Sequence, residues 1–539
     1  MFFLKRIIKL NILDSLCVAG VVLYSIFLGS TYSKYHTDPW HWGSIISNSI
    51  DYINGFKLFK DIVLLWGPGQ PILYYLINNF YKIDYYSVGI ITSIIYCLFL
   101  VFSYLILKKI SNRIIALSIF FIIFCLLPYP QTPWPDFYSG LCLVLSCYYL
   151  NIKNKNNFIL FISSCFLSLS IIFRNTYILQ IIPTIVIFCL LFLIQKKTIP
   201  PIYKKYFIFF AITTIFFFFI LLIQNNLRLW FDQGIGRINE YQDINNTIYN
   251  YRINPFIYSI IKFLYHIFVP SRIEGYYYLI IFICNCSIIF LFFFRKKFFE
   301  QINNNNCNII FFSILGFFGI IQSFNQYEIW RNINSTVCIF FALSYFLNKV
   351  FKKKKYTLIT GTILIFLFFP LFPRKNPDND WKHYNGTNYF PVIGYFVDGK
   401  LKKDKELYFE SNILFFGKHK FTKEHLEYYT EMRSLICDYE KIINYSIDRT
   451  LTYICDKKNF IVSTYPRNNG HPIFNDVKIE KRYKDENLNN DEIIIANKEF
   501  FNNNVKLLKK IIIPSGTRYT NSDVFMRYFD SEIFLYVKN

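Results

Sequence analysis

Three chemical signatures are missing from the 539 residues: a glycine-rich phosphate loop, a Cys-x-x-Cys pair, and any Cys/His spacing that would hold a metal. The first absence argues against chemistry on nucleotides, and the others against thioredoxin-type redox and structural zinc. Internal repeats and Gly/Ser linkers are also lacking. Acidic residues are scarce over most of the chain: residues 1–372 hold 12 Asp/Glu against 31 Lys/Arg, whereas 373–539 hold 23 against 27. The net charge of +23 is therefore concentrated in the first part, between apolar segments. There it sets membrane topology and meets anionic headgroups, so it is no nucleic-acid surface.

What is abundant is apolar sequence, at 54% hydrophobic residues and a mean hydropathy of +0.29. Windows long enough, or nearly so, to cross ~30 Å of hydrocarbon recur from Leu10 to Phe372 and stop after Pro373. Eleven spans are predicted, at 11–29, 87–107, 114–128, 137–150, 157–173, 176–195, 206–224, 276–294, 308–323, 333–348 and 357–372. Their connections alternate in basic content. One set of short connections carries twenty Lys/Arg with Glu300 the sole acid, and the other carries eleven Lys/Arg with most of the carboxylates. The positive-inside rule then puts the N-terminus in the cytoplasm and, with an odd span count, the C-terminal region outside. This reading gives a multi-pass protein of a bacterial cell membrane. The basic N-terminus and first apolar run resemble a signal peptide, but Ser30, Thr31 and Tyr32 make a poor cleavage site, so a retained span is expected.

Two outward loops are long, 30–86 and 225–275, and their semi-apolar stretches 72–80 and 256–269 are expected as helices lying in the interface. Lys262 and His266 argue against 256–269 crossing. Pro370, Pro373 and Pro377 mark the boundary between a membrane domain, 1–372, and a water-facing domain, 373–539. Alternating runs at 459–465, 492–496 and 507–514 and a helical piece at 423–439 make the latter α/β or α+β. Eleven of the thirteen cysteines lie in or beside spans. Cys437 and Cys455 stand apart and can pair in an oxidising compartment.

Ten of the twelve acids before residue 373 fall on the outward side, so chemistry is sought there, and a charged midplane relay for ion-coupled transport is disfavoured. Asp38 follows the first span by about ten residues, flanked by Trp40 and Trp42. A carboxylate at that level can take a proton from an incoming hydroxyl or amine, and indole faces suit a sugar ring. The alternative is a solvated acid beside an aromatic belt. Further along come Gly55 to Asp61, with Phe59 and Lys60 before the acid, and then Gly67, Pro68, Gly69, Gln70 and Pro71.

This order resembles the membrane glycosyltransferases of the GT-C fold, the superfamily of protein O-mannosyltransferases, oligosaccharyltransferases and aminoarabinose transferases. The resemblance is best over 30–80. It implies a catalytic Asp in the first external loop (Asp38), an amphipathic helix after it, and a role for Asp61 near the acceptor. The Asp-Pro-Trp-His-Trp run departs from the acidic pairs of many members and leaves the role of His41 open.

Asp136, at the mouth of the fourth span, is either a second acid that positions the acceptor or a metal, or an N-cap. His36, Asp38 and His41 have atoms suited to a divalent cation, and the cofactor is otherwise left open. Arg174 and Arg331 occupy short outward turns where a guanidinium can hold a lipid-linked phosphate; Arg237 and Arg272 are further candidates in the fourth outward loop. The expected function is an inverting transferase. It moves sugar from a polyprenyl-phosphate donor to an extracytoplasmic glycan, lipid or protein, with Asp38 as base. The rivals are an O-antigen-ligase or polymerase type of enzyme, a flippase of lipid-linked glycan, and a non-catalytic scaffold.

Overall fold

The computed structural model describes residues 12–35, 41–60, 62, 64, 66–127, 133–152, 155–194, 198–234, 265, 273–294, 304–323, 329–350, 354–369, 374–375, 381–382, 408–444, 446, 448–455, 461–462, 489–496, 504–514 and 532–539. The helices run α1 (Ile12–Tyr35), α2 (His41–Ile53), α3 (Gly69–Asn78), α4 (Tyr85–Ile110), α5 (Arg113–Leu126), α6 (Pro135–Leu150), α7 (Asn157–Phe173), α8 (Ile178–Ile194), α9 (Pro201–Ile223), α10 (Leu227–Gly234), α11 (Ile273–Phe294), α12 (Asn304–Phe318), α13 (Ile329–Val350) and α14 (Lys354–Phe368). Each of the eleven apolar windows is thus helical. By length and composition four helices can cross a bilayer: Ile12–Thr31, Tyr85–Ile110, Asn175–Ile194 and Pro201–Ile223. Five more are apolar but shorter.

Helix starts follow local chemistry. Asp84 and Ser87 form a reciprocal capping box on α4, and Asn112 and Asn156 accept from the third amides of α5 and α7. Proline opens α6 and α9, where its missing N–H costs nothing. The polarity of α13 has a different cause. Asn332, Asn334, Ser335, Thr336 and Ser344 are fully buried, because α13 sits inside the bundle against α12, α6 and α5. Gln180 donates to Ser335 O, and Tyr277 bonds Thr336. A methyl group on Gly316 would lie 2.4 Å from Ile339 N, so the backbones touch there. Small and polar side chains between helices are what a bilayer interior favours.

The helix ends separate into two poles. At one, Asp14 takes Lys108 and Arg113 at 2.5 and 3.3 Å. Nearby, Asn112 donates to Asn348, Lys109 caps the ring of Tyr148, and Asn308 bonds both Tyr203 and Asn151. The described helix ends that flank the lysine-rich connections therefore gather at a single pole. At the other pole α1 runs to Tyr35, six residues beyond the predicted end, adding about 9 Å of helix. Ser30 and Ser33 bond back to Phe27 O and Gly29 O, which keeps this polar stretch helical.

Beyond the bundle lie short strands β1 (Arg374–Lys375), β2 (Trp381–Lys382), β3 (Tyr408–Glu410) and β4 (Lys420–Thr422), then helix α15 (Lys423–Ile436). They are followed by β5 (Lys441–Asn444), β6 (Ile461–Val462), β7 (Glu492–Ala496), β8 (Val505–Ile512) and β9 (Glu532–Lys538). The last five form a mixed sheet in the order β6-β5-β7-β9-β8, parallel about β5 and antiparallel at β9. The helical piece, the 492–496 strand and the expected α/β or α+β mixture are present. Cys437 and Cys455 are joined.

Candidate functional site

Arg174 and Asp136 form an ion pair at the second pole. Asp136 lies in the first turn of α6, 1% exposed, and its Oδ2 takes Arg174 Nη1. The reading of Asp136 as an N-cap is corrected: Trp134 occupies the cap position and no side chain caps the helix. Arg174, a candidate phosphate partner, has its charge matched here by a buried carboxylate. Its Nε donates to Thr176 at 3.0 Å, Thr176 Oγ1 donates to Gln322, and Gln322 Nε2 returns a bond to Thr176 O. Asp136 Oδ1 is buried with no hydrogen-bond partner among the described residues. So are both amide atoms of Asn175. Buried polar atoms without partners cost roughly 1–3 kcal/mol each, so their gathering next to one ion pair calls for an explanation.

The glycine–proline turn covers this pair. Gly67 has φ +145° and an added methyl would lie 2.4 Å from Ile172 O, so only glycine fits where the turn crosses the end of α7. Trp66 O accepts from Asn175 N at 2.5 Å, and Gln70 donates to Pro133 O at 2.5 Å. Trp66 meets Trp134 edge to face at 5.1 Å. Tyr74 and Tyr138 share a hydroxyl bond of 2.6 Å below.

The stretch from Gly55 to Lys60 is held by α10. Phe59 is buried with φ +68°, a conformation that strains a bulky side chain. Gln233, on α10, donates to Phe59 O at 2.7 Å and accepts from Leu64 N at 3.0 Å. A methyl on Gly234 would lie 2.1 Å from the amide nitrogen of Asn175. Parts of five segments at this pole, within 56–70, 133–136, 174–177, 227–234 and 319–323, thus converge in one region.

Asp38, Asp61, Arg237 and Arg272 lie outside the described residues, as does the 256–269 stretch except Tyr265. His41 is the first residue of α2 and Arg331 is in the first turn of α13; their side chains are outside the described set. Arg331 was expected in a turn between spans and instead stands on a helix. The 72–80 stretch is helical as far as Asn78, within α3, and α2 occupies the place where the resemblance implies an amphipathic helix. Among the described residues no group of three metal-ligating side chains gathers. Sequence reasoning missed Thr176, Asn175, Gln233 and Gln322. Each is an uncharged polar residue near an apolar run, a pattern that says nothing of its partners. No family model matches the chain, and no curated protein matches its sequence.

Proposed function

We propose that the protein is an inverting glycosyltransferase acting outside the cytoplasm on a polyprenyl-phosphate-linked sugar. All eleven apolar helices cross the membrane in this reading, with the lysine-rich pole cytoplasmic and the sheet region outside. The Cys437–Cys455 disulfide agrees with an oxidising compartment. The observation that carries the reading is the convergence of five outward connections on the buried Asp136–Arg174 pair, beneath the glycine–proline turn.

The chemistry assigns each group one task. Asp38 accepts the proton of the acceptor hydroxyl or amine as its oxygen or nitrogen attacks the anomeric carbon from the face opposite the phosphate. The bond from that carbon to the phosphate oxygen breaks, configuration inverts, and polyprenyl phosphate leaves with its electron pair. Asp136 Oδ1, an acceptor-only atom, orients the incoming group, and Arg174 holds Asp136 in place. Arg331 is the better phosphate partner than Arg174, because its place at a helix start adds the favourable end of the helix dipole to its own charge.

Asp38→Asn tests this reading. Full-length protein in nanodiscs should lose sugar transfer from a labelled polyprenyl-phosphate sugar by at least about 10²-fold at unchanged expression, the range expected of a general base. Undiminished transfer rejects the mechanism. Labelled lipid crossing the bilayer with no new glycosidic bond favours a flippase. Gln233 also keeps the ligase-type reading in view, since it brings the 225–275 loop to the site; loss of transfer in Arg237→Ala and Arg272→Ala but not Asp38→Asn would select it.

A further inference from the structure

The sheet region closes on the first outward connection through contacts that share one target. Ser33 lies in the last turn of α1, where a carbonyl has no partner within the helix. His419 supplies one: its Nδ1 lies 2.8 Å from Ser33 O. A carbonyl only accepts, so Nδ1 carries the proton and the tautomer is fixed. Next to it, Tyr85 is buried among Trp42 of α2 at 5.0 Å, His419 at 4.8 Å and Phe416 at 5.7 Å. Gly417, at φ +59°, lies so near that a methyl would stand 2.4 Å from Asp84 Oδ2. Asp84 cannot withdraw without abandoning the capping box of α4.

The second grip is Tyr453, whose hydroxyl donates to Asp51 on α2. Asp51 is fully buried. Tyr453 stacks on Phe415 and ends a short 3-10 helix, Arg449–Tyr453, capped by Asp448. Two residues on, Cys455 is tied to Cys437 at the end of α15. The tyrosine is therefore presented from a braced frame. The two grips hold the end of α1 and the body of α2, between which the chain carries Asp38.

We propose that residues 413–455 form a clamp that sets the placement of α2 against α1 for the reaction, with His419 and Tyr453 as positioning residues. This rests on the transferase reading for its catalytic consequence, but the clamp itself has a separate readout. A domain that merely packs here would lose protein stability on mutation without a selective effect on turnover.

The test uses full-length protein in nanodiscs of anionic phospholipid, with amide exchange of α2 and sugar transfer measured together. Tyr453→Phe and Asp51→Ala should each speed exchange across 41–53 at least about tenfold and lower kcat about tenfold, with KM for the lipid donor within about twofold. The double variant should be no worse than either single one. Asp51→Asn, which keeps an oxygen for the tyrosine hydroxyl, should stay within about threefold of the native chain. Gly417→Ala should reproduce the loosening of α2 while amides 493–495 in the sheet stay protected, which separates undocking from unfolding. Unchanged α2 exchange in Tyr453→Phe, additive effects in the double variant, or equal loss in Asp51→Asn overturns the clamp. Absence of transfer by the native chain overturns the enzyme reading, while the exchange arm still decides the clamp.

Discussion

Replacing Asp448 with Asn exposes one of two opposed titrations in the sheet region. Burial pushes the Asp448 carboxyl up to about 6 from 3.8, against hydrogen bonds from Thr450 and Tyr428 that favour the charged form. Burial pushes His425, on the inner face of α15, down to about 4 from 6.5. Between pH 4 and 6 the folded Asp448 keeps a proton that the unfolded chain gives up, so its contribution falls as pH rises. Over nearly the same window unfolded His425 takes a proton that the folded imidazole refuses, so its contribution falls as pH drops. Each shift corresponds to roughly 3 kcal/mol. The slopes oppose and nearly cancel, giving the native chain a flat profile. Asp448→Asn leaves His425 alone and should lose about 3 kcal/mol of sheet stability on going from pH 6.5 to 4. His425→Gln should gain a similar amount on acidification from pH 6 to 4. The assay is amide exchange at Ile493, Ile494 and Ile495, in the middle strand of the sheet, corrected for intrinsic pH dependence. Parallel profiles in all three proteins would refute the reasoning.

Breaking the buried ion pair from one side strands a charge. Asp136→Ala or Arg174→Ala should destabilise the bundle by about 3–5 kcal/mol, with the double variant less damaged than the sum, read by thermal unfolding in detergent. Gly67→Ala meets both a disallowed conformation and a backbone oxygen, so it should lower the midpoint by several degrees and loosen the Trp66 turn in exchange measurements. Gln233→Ala removes one bond to the strained Phe59 and one to Leu64, and proteolysis within 56–66 should accelerate several-fold while α4 remains protected.

The apolar half was readable because its signal is periodic and strong: the apolar windows placed eleven helices to within a turn or so, apart from the far end of α1, whereas α2 and α10 fall in none of them. That end hid because Ser30, Thr31 and Ser33 read as loop residues, while their hydroxyls and a docked histidine satisfy the last turn. In the sheet region the alternating run at 492–496 appeared as β7, whereas β9, at 532–538, was not among the runs read as alternating. Within the candidate site, Asp136 and Arg174 were each legible as outward charges but not as a pair. They stand 38 positions apart, and nothing local to either announces a partner. Asn175, Thr176 and Gln322 act through burial, a property that composition does not carry.

The bond from His419 to Ser33 joins positions 386 apart in the chain. A ribosome adding about 5–20 residues per second needs roughly 20–80 s to travel that distance. Throughout that interval the emerging first loop has no clamp, and every truncated product ending before residue 413 would be released without one. The contacts of 413–455 with α1 and α2 can therefore form only after every helix of the bundle has been synthesised.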